Sequence, residues 1–149
     1  MQFRVHGLLV TAVLVGLSGC GGGAEGDPTN LVKATGQVVK GDTPVAGVNV
    51  SYQPDDGTKG TGGFGTTDAQ GNFSLMHRSG KEGIEPGRYR VTLSKFVKPD
   101  GSPIPPGESA MDHNGKESMP AKLTNPETTN FRPEVKDGGE PFKIVIPGK

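Results

Sequence analysis

Glycine and proline punctuate this chain so densely, at 25 and 13 of 149 residues, that what lies between them is a series of short extended runs rather than helices. No helical periodicity is visible beyond the first nineteen residues. Instead Lys33–Val39 reads as a strand, followed by the turn Lys40-Gly41-Asp42-Thr43-Pro44. Val45–Tyr52 reads as a second strand, with Ala46, Val48, Val50 and Tyr52 alternating with small or polar residues. Phe64–Asp68 and Asn72–Met76 flank Ala69-Gln70-Gly71 and suggest a hairpin. The best period-two signal is Arg88–Phe96, where Tyr89, Val91 and Leu93 share one face and Arg88, Arg90, Thr92 and Ser94 the other. Thr129–Val135 is extended again, at an edge because Pro133 lacks a donor. Phe142–Ile146 closes the series with Phe142, Ile144 and Ile146 on one side.

About seven short strands with a turn signal every 8 to 12 residues predict an all-β, seven-stranded antiparallel sandwich. Its core is lean, because Leu, Ile, Val and Phe make up only 23 of the 130 residues from Cys20 onward. Residues 97–128 hold six prolines and almost no large apolar side chains, and are expected to form an irregular, partly disordered excursion.

The N-terminus carries a different instruction. Met1–His6 contains the cation Arg4, and Gly7–Gly16 is uncharged. That run is too short for a membrane-spanning helix, which needs about 20 residues, but suits the apolar region of a secretion signal. Leu17-Ser18-Gly19-Cys20 follows. It resembles the lipobox of bacterial lipoproteins, with Leu17 at the aliphatic position, Ser18 and Gly19 at the small ones, and Cys20 as the lipidated residue. Cys20 is the only cysteine of the chain, so it has no intramolecular disulfide partner. The expected organisation is therefore a cleaved signal over 1–19, a lipidated cysteine with a Gly-rich tether over 20–31, and a β-sandwich domain over 32–149.

Four motifs carry a second resemblance. Gly36-Gln37-Val38, Thr43-Pro44-Val45-Ala46-Gly47-Val48-Asn49-Val50, Thr67-Asp68-Ala69-Gln70-Gly71-Asn72-Phe73 and Pro86-Gly87-Arg88-Tyr89-Arg90-Val91 are similar to the carboxypeptidase regulatory-like, transthyretin-like β-sandwich domain of secreted bacterial proteins. Met119–Leu123, Thr129–Val135 and Pro141–Ile144 also resemble small planctomycete lipoproteins of this class. The resemblance implies a Greek-key sandwich. These are turn and strand motifs, which speak to fold rather than activity.

The residues offer little chemistry. Asp68 in Asp68-Ala69-Gln70-Gly71-Asn72 reads as a turn-capping carboxylate rather than a calcium ligand, since Asp55, Asp56 and Asp68 lack a calcium-loop spacing. Beyond the signal, His77 and His113 stand alone and read as solvated loop residues, short of the three or four ligands a zinc site needs. No Gly-x-Ser-x-Gly elbow is present, and the signature residues of transthyretin-related hydrolases have no counterpart. The one basic run, Arg88, Arg90, Lys95 and Lys98, reads as a solvated strand face that discourages edge pairing. Tyr52 and Tyr89 belong to the core face.

From Cys20 onward the chain holds 15 Lys and Arg against 16 Asp and Glu, a balance that does not suit nucleic acid. The expectation is a non-enzymatic module without cofactor, catalytic residues or metal. A lipid on Cys20 would hold it at a membrane outside the cytoplasm, where it meets a cell-envelope protein or polysaccharide. The alternative is a small-ligand or glycan binder at the cell surface or in the periplasm.

Overall fold

A computed structural model describes residues 30–148, so the expected signal peptide, its Leu17, Ser18 and Gly19, and Cys20 all lie outside the described residues. The described chain is all-β apart from one helical turn. Its strands are β1 (Thr35–Lys40), β2 (Thr43–Pro44), β3 (Asn49–Pro54), β4 (Gly63–Thr66), β5 (Asn72–Ser74), β6 (Met76–His77), β7 (Gly87–Ser94), β8 (Phe96–Val97), β9 (Lys116–Glu117), β10 (Glu134–Val135) and β11 (Phe142–Ile146), with α1 (Ala121–Thr124) before β10.

One sheet holds β1 between β11 on one side and β2 and β5 on the other; a second runs β10-β7-β3-β4-β6, and β8 pairs with β9. One of these sheets curls into a half-barrel. Period-two alternation produces the core. Val50 and Tyr52 of β3 lie opposite Leu93 and Val91 of β7, all four buried, and Val38, Ile144 and Ile146 fill the first sheet's inner face. Tyr52 stands between the rings of Phe73 and Tyr89, with centroids 6.3 and 5.8 Å away and tilted planes. Both tyrosines are buried, as the alternation predicted, and burial pushes both phenols well above the usual tyrosine range.

Several expectations are corrected. Eleven strand segments replace about seven because turns break the longer runs. The strand expected from Val45 begins only at Asn49; Gly47 takes a left-handed φ of 67°, and Ala46 is exposed. The turn Asp68–Asn72 forms, with Asp68 N–H donating to the Asn72 carbonyl at 2.8 Å, but its two flanks are not simple hairpin partners. β5 pairs with β1, and β6, two residues later, pairs with β4. The Asn72–His77 segment thus passes from one sheet to the other. The antiparallel expectation also fails at one ladder, because β11 runs parallel to β1 from Gly36↔Phe142 to Lys40↔Ile146.

Residues 97–128, expected to be an irregular and partly disordered excursion, carry defined structure. The β8–β9 pair joins Phe96 to Glu117 and Val97 to Lys116. The Glu117 carboxylate accepts from Ser94 Oγ at 2.6 Å, Lys95 N–H at 2.9 Å and Met119 N–H at 2.8 Å. Pro120, which needs no helical donor before the first turn, precedes α1, and Leu123 on that turn is buried with the core cluster. Leu123, with the partly buried Met119 packed against the same cluster, docks this proline-rich stretch. The edge expectation for Thr129–Val135 holds: β10 is the outer strand of its sheet, and pairing with β7 extends through Tyr89 N–H to the Pro133 carbonyl and Val91 N–H to the Phe131 carbonyl, each at 3.0 Å.

Candidate functional site

The β5–β6 segment continues its alternation one residue beyond the expected strand, so Phe73, Leu75 and His77 all point inward. His77 is therefore not a solvated loop histidine; its side chain is 4% exposed. Burying an imidazole is costly unless both ring nitrogens find partners, and they do. Nε2 lies 2.7 Å from Thr61 Oγ1 and 3.1 Å from Glu85 Oε1. Nδ1 lies 2.7 Å from Ser79 Oγ and accepts from Ser79 N–H at 3.1 Å. The Ser79 donor makes Nδ1 the acceptor nitrogen, which places the proton of a neutral ring on Nε2, facing Glu85 and Thr61. Gly80 N–H to the His77 carbonyl at 2.9 Å and His77 N–H to the Lys81 carbonyl at 2.8 Å close the turn that fixes Ser79 there.

Glu85 is held just as firmly. Its backbone carbonyl accepts from Tyr89 Oη at 2.6 Å, and its Oε1 also accepts from Thr61 N–H at 3.3 Å. Oε2 is different: it is buried and has no hydrogen-bond partner among the described residues. Gly60 stands against this carboxyl, and a β-carbon there would come within 2.7 Å of Cδ and 2.9 Å of Oε2. A groove of about 670 Å³ opens beside it, lined by Asp56, Lys59, Gly60, Glu85 and Arg88 among others.

The wall of this groove is braced by an ion-pair network. Asp55 Oδ1 accepts from Arg90 Nε at 2.8 Å, Arg90 Nη1 reaches Glu127 at 2.7 Å, and Arg132 lies 3.5 Å from Asp55 Oδ2. Asp55 N–H donates to the Arg88 carbonyl at 2.9 Å, and Thr58 Oγ1 donates to the same carbonyl and accepts from Arg88 N–H. The basic run is thereby corrected. β7 is flanked by β10 and β3, so it is no edge, and Arg90 is covered and paired; Arg88 remains exposed on the groove rim.

The hydrogen bond from Arg90, followed by that from the Asp56 amide, holds the Asp55 carboxyl below the usual aspartate range. A depressed folded pKa stabilises the fold above the unfolded value, about 3.9, and that contribution is lost as pH falls through the folded value. Asp55→Asn is accordingly expected to lower Tm at pH 7 and to converge with the parent as pH falls below the unfolded value and through the depressed folded one. Thermal melts across pH 2–7 check this; a constant gap across that range would refute it.

Other sequence candidates resolve simply. Asp68 caps its own turn, its Oδ1 accepting from Gln70 N–H at 2.9 Å and Asn72 N–H at 2.8 Å. It lies on a larger groove of about 890 Å³. There Gln37 is likewise engaged locally, with the Gln70 carbonyl at 3.0 Å. Asp55, tied to arginines, belongs to a different cluster from Asp68. His113 pairs with Glu108 within the 97–128 segment. Sequence reasoning missed the His77–Glu85 pair, although alternation carried to residue 77 would have pointed His77 inward. Nothing local marks Glu85 as its partner.

Among the described residues no helix is long and apolar enough to cross a membrane, and no group of three or more His, Cys, Asp or Glu is placed to hold a metal. Comparison with protein-family models, with curated proteins and with solved structures finds no match to this chain.

Proposed function

We propose that this chain is a lipid-anchored β-domain of the cell envelope, a non-enzymatic module whose role is to hold a structural or protein-interaction surface just off a membrane, outside the cytoplasm. The observation that carries this reading is Leu17-Ser18-Gly19-Cys20 at the end of an uncharged run, with Cys20 the sole cysteine. The spacing is consistent with it. Cys20 stands ten residues ahead of the first described residue, Asn30, and a Gly-rich segment of that length reaches roughly 15–20 Å. Two or more acyl chains at about 0.8 kcal/mol per buried CH₂ make a stable anchor. The domain itself is read as a Greek-key sandwich of the carboxypeptidase regulatory-like kind, an assignment supported by its all-β character and by the turn motifs at Asp68–Asn72 and Pro86–Val91.

The wild-type chain is expected in the membrane fraction, with a diacylglyceryl mass on an N-terminal Cys20 by mass spectrometry. Cys20→Ala is expected to abolish that mass and release the protein from membranes. A Cys20→Ala chain still processed after residue 19 and still membrane-bound would refute the anchor. A second reading, a small-ligand binder, is favoured by one observation: the unpartnered Glu85 oxygen beside a groove.

A further inference from the structure

We infer that the groove beside Glu85 is a binding site for a compact zwitterion, a molecule carrying an ammonium and a phosphate or carboxylate on a short linker. This deepens the small-ligand reading above and is independent of whether Cys20 is lipidated. The floor of the groove supplies the first half of the argument. The Glu85 side chain is 8% exposed, and its two oxygens are treated unequally. Oε1 receives His77 Nε2 and Thr61 N–H, whereas Oε2 receives nothing among the described residues. A buried carboxylate oxygen without a donor costs more than a neutral group in the same position, and native folds keep few such groups without a use for them. Gly60 is the residue beside it. Any larger residue would set its β-carbon 2.9 Å from Oε2, over the very oxygen that lacks a donor.

The rim supplies the second half. Lys59 and Arg88 both line the groove, both are exposed, and neither has an ion-pair partner among the described residues. Asp56, the other carboxylate of the lining, already lies 3.8 Å from Arg90. A simple cation drawn to Glu85 would be opposed by the two rim cations, and a simple anion drawn to the rim would face the Glu85 carboxylate. A molecule bearing both charges satisfies each. An ammonium also brings three donors to an acceptor that lacks one, the buried Oε2 being met as the Glu85 carboxyl turns toward the groove. The volume, about 670 Å³, is within the range of small-molecule sites, roughly 300–1,000 Å³. A phospholipid headgroup and a free amino acid share this chemistry.

The test is amide NMR of the purified, ¹⁵N-labelled full chain titrated with phosphoethanolamine, β-alanine, ethylammonium, inorganic phosphate and N-acetylglucosamine. The expected result is saturable shifts at Gly60, Thr61, Glu85 and Arg88 with one or both zwitterions. Ethylammonium and phosphate alone are expected to bind at least tenfold more weakly. Phosphoethanolamine outcompeting β-alanine assigns the site to headgroup chemistry, and the reverse order to amino-acid chemistry. Glu85→Gln is expected to weaken binding at least tenfold. The double variant Lys59→Glu with Arg88→Glu, on exposed residues, decides the matter if Glu85→Gln does not fold, and is expected to show the same loss. Equal binding of the separate charged halves, or undiminished binding by the double variant, overturns the proposal. Shifts with N-acetylglucosamine and neither zwitterion overturn it while leaving a ligand site in place. No shift with any probe removes both, and means that the groove holds water only.

Discussion

Gly36→Val is expected to destabilise the fold by about 3 kcal/mol or more, because there is no room for a side chain at the centre of the first sheet. Gly36 sits in β1 with β11 on one side and β5 on the other, its register partners being Phe142 and Phe73. A β-carbon there collides with the Phe142 carbonyl oxygen and comes within 2.5 Å of the Phe73 ring. The carbonyl belongs to the ladder and cannot withdraw without breaking it. The ring is buried beside Tyr52, so displacing it disturbs the core packing there. For a domain of this size the loss corresponds to roughly 10 °C or more in Tm. Gly41→Ala is the matched control: Gly41 has a left-handed φ of 61° with nothing within 4 Å of its β-carbon position, so only backbone strain of about 1 kcal/mol applies. Thermal or urea unfolding of the two variants separates the effects. Equal losses would show that β1 does not lie as tightly between its neighbours as described.

His77→Leu is expected to cost about 3 kcal/mol, although leucine is of similar size and apolar side chains suit buried positions. The imidazole is what makes the burial of Glu85 tolerable. Without it, Oε1 keeps only the long bond from Thr61 N–H, Oε2 still has none, and Thr61 Oγ1 loses its 2.7 Å partner. Removing one member of a buried polar pair leaves the other uncompensated, whereas removing both together is frequently near neutral. The double variant His77→Leu, Glu85→Met is accordingly expected to be more stable than His77→Leu alone, a negative interaction energy of more than about 1 kcal/mol in a double-mutant cycle. Additive losses in urea unfolding would mean that the pair does not act as a unit.

That pair also marks how far the residues can be read in order along the chain. Alternation placed Val48, Val50, Tyr52, Tyr89, Val91, Leu93, Ile144 and Ile146 inside, and all are buried, because which face a strand residue takes is a local property with a period of two. The same rule applied to Asn72–His77 points His77 inward, but the type of residue argues the other way, since histidine is only intermediate in its tendency to be buried. Glu85 is harder still. Nothing near Ile84-Glu85-Pro86 announces a buried carboxylate; its partners are Thr61 and His77, 24 and 8 residues away.

By itself the sequence determined the secondary-structure type, the inward face of most strands, the Asp68 turn and the lean, Gly- and Pro-rich frame, because each depends on φ/ψ preference or on neighbours within a few residues. Only the tertiary structure decided which strands pair. The parallel β1–β11 ladder joins segments about a hundred residues apart, and β5 leaves β4 to join β1 while β6 returns to it. Leu123 docks a proline-rich stretch that its composition alone would leave irregular. Pairing and docking of this kind are won by apolar area and hydrogen bonds shared with distant residues. The burial of His77 and Glu85 follows from the same cause: each is tolerable inside only because the fold brings it the other.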